Sequence, residues 1–151
     1  MPRASWFAAL ALLTLASPPA SACTISAVGV AFGAYNPQSA ANDDGTGTVS
    51  LACPPSVTAP IVALSKGGSA TFSPRRMTGG AFTLTYNLYT TAARTTIWGD
   101  GTGGTATVTL TGGTVSGGVR NFSRSIFGRA PGSQNVGAGS YSDTITLTVT
   151  F

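Results

Sequence analysis

The most constraining feature of this chain is its last stretch, Tyr141-Ser-Asp-Thr-Ile-Thr-Leu-Thr-Val-Thr-Phe151. Ile145, Leu147, Val149 and Phe151 alternate without a break with Thr144, Thr146, Thr148 and Thr150. Period-2 alternation puts one set of side chains on a core and the other toward water. Thr, Val, Ile and Phe all favour extended backbone. Burying four such apolar side chains is worth roughly 6–12 kcal/mol, at about 1.5–3 each. No residue follows Phe151 in this sequence, so the strand is expected to find its cover elsewhere. An apolar strand with an open edge invites pairing with another chain.

The other end sets the compartment. Arg3 precedes an apolar run from Trp6 to Ala16, interrupted by Thr14, and Ala20-Ser-Ala22 forms a small-residue cleavage site. This is the layout of a secretory signal peptide. Cleavage after Ala22 is expected, leaving a single domain over residues 23–151. No later apolar stretch reaches membrane-spanning length, so the expectation is no membrane span after cleavage. Cys23 and Cys53 are the only two cysteines. In an oxidising compartment they are expected to form one disulfide, worth roughly 3–4 kcal/mol in the chain-entropy model.

Between these ends the chain reads as short strands and turns. Strands are expected over residues 24–32, with a bend near Ser26-Ala27 that reconciles the two apolar parities, and over residues 48–53, 60–65, 82–89, 105–110 and 121–129. Shorter extended pieces are expected at residues 73–77 and 95–98. Residues 36–47 read as a polar turn region and residues 99–104 as a glycine-rich turn. No helical periodicity appears in the mature chain. These features predict an all-β sandwich of immunoglobulin-like size.

The chemistry is sparse. The sequence contains no His and no Glu, which removes the two commonest general acid/base residue types. Asp43, Asp44, Asp100 and Asp143 sit in predicted turns or beside the last strand, and nothing places two of them across a cleft as a glycosidase requires. Gly99-Asp-Gly-Thr-Gly-Gly104 matches G-x-G-x-x-G formally but precedes a strand-like segment, so it reads as a turn. Asn42-Asp-Asp-Gly45 lacks the downstream acidic ligand of a calcium loop. No catalytic residue, metal site or cofactor is therefore expected. Without Arg3 the chain carries seven basic residues against four Asp, a net +3. These charges are spread along strands and form no dense basic stripe, so no nucleic-acid partner is expected.

Several stretches together resemble the spore coat protein U family, which includes subunits of archaic chaperone–usher pili. They are Cys23-Thr-Ile, Val30-Ala-Phe-Gly-Ala-Tyr35, Thr48-Val-Ser-Leu-Ala-Cys53, Arg76-Met77, Leu84-Thr-Tyr-Asn-Leu-Tyr89, Trp98-Gly-Asp-Gly-Thr102 and Gly139-Ser-Tyr-Ser-Asp-Thr144 with Leu-Thr-Val-Thr-Phe151. The resemblance implies an incomplete immunoglobulin-like sandwich open to donor-strand complementation. It implies a periplasmic pilus chaperone, an outer-membrane usher and a neighbouring pilin subunit as partners, with secretion through the periplasm to the cell surface. It places the acceptor groove between the last strand (Ile145, Leu147, Val149, Phe151) and the first (Ile25, Val28, Val30, Phe32). One departure stands out. Pilins of this kind usually carry an alternating apolar extension before the first cysteine, whereas Cys23 directly follows the predicted cleavage site. The expectation is a tip or minor subunit. The alternative is a self-complete secreted coat-like or adhesive binding domain.

Overall fold

The computed structural model describes residues 22–151. The signal peptide predicted over residues 1–22 lies outside them, Ala22 excepted. Nine strands are described: β1 (Thr24–Val28), β2 (Asp43–Cys53), β3 (Ile61–Leu64), β4 (Arg75–Gly79), β5 (Phe82–Tyr89), β6 (Val108–Thr109), β7 (Thr114–Ser116), β8 (Val119–Ala130) and β9 (Leu147–Thr150). They form two antiparallel sheets. One has the order β1-β2-β8-β5-β4, with β7 added to β8; the other has the order β6-β3-β9. The architecture is an all-β, immunoglobulin-like sandwich.

The core follows from alternation. Val49, Leu51 and Cys53 of β2, Leu84, Tyr86 and Leu88 of β5, and Phe122 and Ile126 of β8 are buried. They meet Val62 and Leu64 of β3 and Val108 of β6 from the other sheet. Trp98 is fully buried at the centre, and its indole N–H donates to the Val62 carbonyl at 3.0 Å. That bond removes the cost of burying an indole donor. Residues 99–104 form the expected turn: Gly101, Gly103 and Gly104 have positive φ, and Asp100 accepts from the Thr102 backbone N–H at 2.9 Å.

Two expectations are corrected. Residues 43–47, read as part of a polar turn, belong to β2 and pair with β8 from Asp43↔Ala130 onward. Gly45 and Gly47 have no side chain to declare a face, so local pattern is silent there and the long β8 partner decides. Arg75, one of the basic residues expected along the strands and so expected to be solvated, is wholly buried. Its guanidinium donates to the carbonyls of Ser65 and Trp98 and to the Asn87 side chain, and it stacks on Phe72 with 5.2 Å from Cζ to the ring centroid. Burial pushes its pKa down. The carbonyl cage is what makes a buried cation tolerable.

Candidate functional site

The sandwich is unfinished along one flank, where two segments face each other. The first is the chain leading into β9. Residues 141–143 still belong to the first sheet's margin: Thr78 N–H donates to the Ser142 carbonyl at 2.9 Å, and Ser142 N–H returns the bond at 3.1 Å. The chain then crosses to the second sheet. Ser65 N–H donates to the Thr146 carbonyl at 2.9 Å, and Thr146 N–H donates to the Ser65 hydroxyl at 2.9 Å. The Ser65 carbonyl is taken by Arg75, so the buried arginine decides which Ser65 atom is left to receive β9.

Backbone groups alternate sides along an antiparallel strand. Thr146, Thr148 and Thr150 therefore bond toward β3, and the N–H and C=O groups of Leu147 and Val149 point away from it. The direction of Leu64, opposite Leu147, agrees: its N–H leaves β9 and donates to the Gly99 carbonyl. On its free side β9 has no strand neighbour among the described residues.

The second segment follows β1. The disulfide between Cys23 and Cys53 and the register Ile25↔Leu51 hold β1 to β2. After Val28 the chain lifts off the edge and runs across the inner face of the first sheet. Glycines make room for it. A Cβ on Gly47 would lie 2.5 Å from the Val28 carbonyl oxygen, and one on Gly128 would lie 2.5 Å from Val30 Cγ1 and 2.8 Å from Phe32 Cζ. Gly45 is crowded in the same way by the Ala31 carbonyl. Phe32 meets Tyr86 edge-on with ring centroids 5.8 Å apart. Residues 29–34 make no backbone–backbone hydrogen bond among the described residues. The segment is pinned again at Tyr35, whose hydroxyl donates to the Pro131 carbonyl at 2.7 Å and accepts from Gln134 N–H at 2.8 Å.

Between the two segments lies a cleft of about 300 Å³. Val28, Val30 and Phe32 form one wall, and Tyr141, Asp143, Ile145 and Leu147 the other; Leu64, Met77, Tyr86, Leu88 and Ile126 form the floor. Of the residues expected to flank a groove, Val28, Val30, Phe32, Ile145 and Leu147 are brought together. Ile25, Val149 and Phe151 do not line it. Ile25 sits where β1 is still paired to β2 and is 45% exposed. Val149 lies farther along β9, and Phe151 lies beyond the last β3–β9 pair and is 64% exposed.

The floor residues were not anticipated as part of the site. Alternation in β5 marked Tyr86 and Leu88 as inward-facing, but no local signal shows that this inner face borders an opening. Asp143, read as a turn former, is instead a wall residue. Its carboxylate accepts from the Tyr86 hydroxyl at 2.7 Å and from the backbone N–H groups of Gly68 and Thr144, both at 2.8 Å. Burial, and secondarily this carboxylate, push the Tyr86 hydroxyl far above the usual phenol range.

The other described carboxylates with side-chain partners lie elsewhere. Asp44 takes two bonds from Arg129, at 2.7 and 2.8 Å, with Arg94 at 3.2 Å. Asp100 is engaged by Thr102 in its turn. Among the described residues no three His, Cys, Asp or Glu side chains gather in a metal-binding group. A larger hollow of about 640 Å³ beside Thr24, Ser50, Asn121 and Ser123 is lined mainly by hydroxyl and amide side chains and lacks the two facing unpaired segments.

Comparison with known proteins agrees with this architecture. The chain is 35% identical to Protein U of Myxococcus xanthus over 133 residues, spanning 80% of this chain and 70% of that protein. Its fold is similar to that of a chain in the crystal structure of the CsuC–CsuE chaperone–tip adhesion subunit pre-assembly complex, from the archaic chaperone–usher Csu pili of Acinetobacter baumannii. The TM-score is 0.58 at 21% identity, covering 85% of this chain and 39% of that one. The family model of the Spore Coat Protein U domain matches residues 9–148. With a match of that extent, the chain belongs to the Spore Coat Protein U domain family.

Proposed function

We propose that this protein is a non-catalytic structural subunit of a surface appendage, delivered through the periplasm and assembled by a chaperone–usher pathway. The observation that carries the reading is the cleft between two backbone segments whose hydrogen-bonding groups lack strand partners. An extended segment from another protein laid between β9 and residues 29–34 would bond to both and cover the apolar floor in one step. A periplasmic chaperone is the first such partner and a neighbouring subunit the second, with an outer-membrane usher between the two events. The fold likeness to a chain of a chaperone–tip adhesion subunit complex supports the subunit reading, and a tip or minor position is the finer part of the proposal.

One observation favours the alternative, a self-complete secreted coat-like or adhesive domain. Val30 and Phe32 already lean on Gly128 and Tyr86 and are partly buried against the core. Co-expression in a periplasm, with and without a candidate pilus chaperone, separates the two. The subunit reading expects a one-to-one complex, and degradation or aggregation without the chaperone. It also expects Leu147→Asp, which puts a charge on the cleft wall, to abolish capture. Equal yields of a stable monomer with and without chaperone, or normal incorporation of the Leu147→Asp variant, would overturn it.

A further inference from the structure

We infer that the cleft selects a strand carrying a basic side chain, Lys or Arg, at the position that meets Asp143; the inference rests on the strand-accepting reading above. The cleft is apolar along most of its length, but one wall carries a carboxylate beside a phenol. Asp143 Oδ1 accepts two backbone N–H bonds, from Gly68 and Thr144, and Oδ2 accepts only the Tyr86 hydroxyl. All three donors are neutral. No cation pairs with Asp143 among the described residues, whose ion pairs both involve Asp44.

The cations of the neighbouring segment are committed elsewhere. Arg75 gives its guanidinium to Ser65, Asn87 and Trp98, and the Lys66 ammonium lies over the Phe72 ring at 5.4 Å from its centroid. The turn is also built around this carboxylate. Gly67 has φ +67°, and any Cβ there would collide with the Asp143 side chain.

While the cleft is open, water solvates the remaining acceptor site on Oδ2. An occupying strand displaces that water and leaves a carboxylate facing apolar side chains, which is costly unless a donor replaces it. An ionised donor replaces it best, because charge-assisted hydrogen bonds are about twice as strong as neutral ones. Asp143 is thus a specificity-determining residue that fixes the register of the incoming strand.

The test uses the full chain and synthetic extended peptides of alternating Val and Thr. Each carries one Lys at a successive apolar position, with matched sets bearing norleucine or Glu there. In one register the Lys peptide is expected to bind at least about tenfold more tightly than its norleucine counterpart, the ratio one charge-assisted bond supports. The Glu peptide should be weakest there. Asp143→Asn should remove the Lys preference, so that the Lys and norleucine peptides of that register bind alike. Tyr86→Phe, which keeps the carboxylate, should retain the preference and guards against a folding artefact of the Asp143 variant.

Norleucine peptides binding with no Lys preference in any register, or a preference that survives Asp143→Asn, would overturn the inference and leave the strand-accepting cleft standing. Failure of every peptide to bind would overturn both.

Discussion

Strands β5 and β9 are written in nearly the same code. Phe82–Tyr89 alternates Leu84, Tyr86 and Leu88 with polar residues, and the last strand alternates Ile145, Leu147 and Val149 with threonines. Their fates differ. Leu84, Tyr86 and Leu88 are 3–4% exposed, whereas Ile145, Leu147 and Val149 are only partly buried. Strand β5 lies inside its sheet between β4 and β8; among the described residues β9 has β3 on one side only. Alternation specifies which face is apolar, and strand order specifies whether that face and its backbone are covered. The closed half of the sandwich is where stability is expected to reside, and the open flank is where recognition is.

The comparison can be broken most severely at Trp98. Trp98→Ala removes the central side chain of the closed half and the indole hydrogen bond to the Val62 carbonyl. It should cost about 3–5 kcal/mol, read as a lower urea midpoint whether or not a cleft ligand is present. Gly47→Ala attacks the open flank instead. Its methyl group would meet the Val28 carbonyl, which belongs to backbone and cannot swing aside. The expected loss is about 1–3 kcal/mol, with the amides of β1 becoming faster in hydrogen exchange and those of β3 and β5 unchanged. Equal acceleration in β5 would show that the two halves are one cooperative unit.

The smallest effect sharpens the contrast by touching neither half's core. The hydrogen bonds from Arg129, ahead of its charge and that of Arg94, hold Asp44 below its ordinary value of 3.8. A carboxylate with a lowered folded-state pKa stabilises the fold fully above its unfolded value and loses that contribution as pH falls through the folded one. The pair is partly exposed, so under about 1 kcal/mol is expected. Denaturation midpoints of the parent and Asp44→Asn should differ slightly at neutral pH and converge below the ordinary carboxylate range.

Much of the fold was legible because its strands alternate and its turns carry glycine. The sequence placed β5, β9 and the turn at residues 99–104 because in each the local chemistry and the final environment agree. It failed at residues 43–47, where glycines conceal a strand whose reason is a distant partner. It failed again at Arg75, whose carbonyl cage is assembled from three separate segments. The cleft was half legible. Val28, Val30, Phe32, Ile145 and Leu147 announce themselves as apolar and alternating, but the floor belongs to strands that look like ordinary core. The limits of the walls depend on where β1 lifts off and where β9 ends its pairing, and neither is a local property.

The segment over the glycine floor has a mechanical consequence. It is anchored by the disulfide and β1 at one end and by the Tyr35 hydroxyl at the other, with no strand partner between among the described residues. It is a beam fixed at two supports. A load applied at Val30 would therefore be resisted by side-chain packing on Gly128 and Tyr86 and by the two abutments, with no strand pairing to break between them.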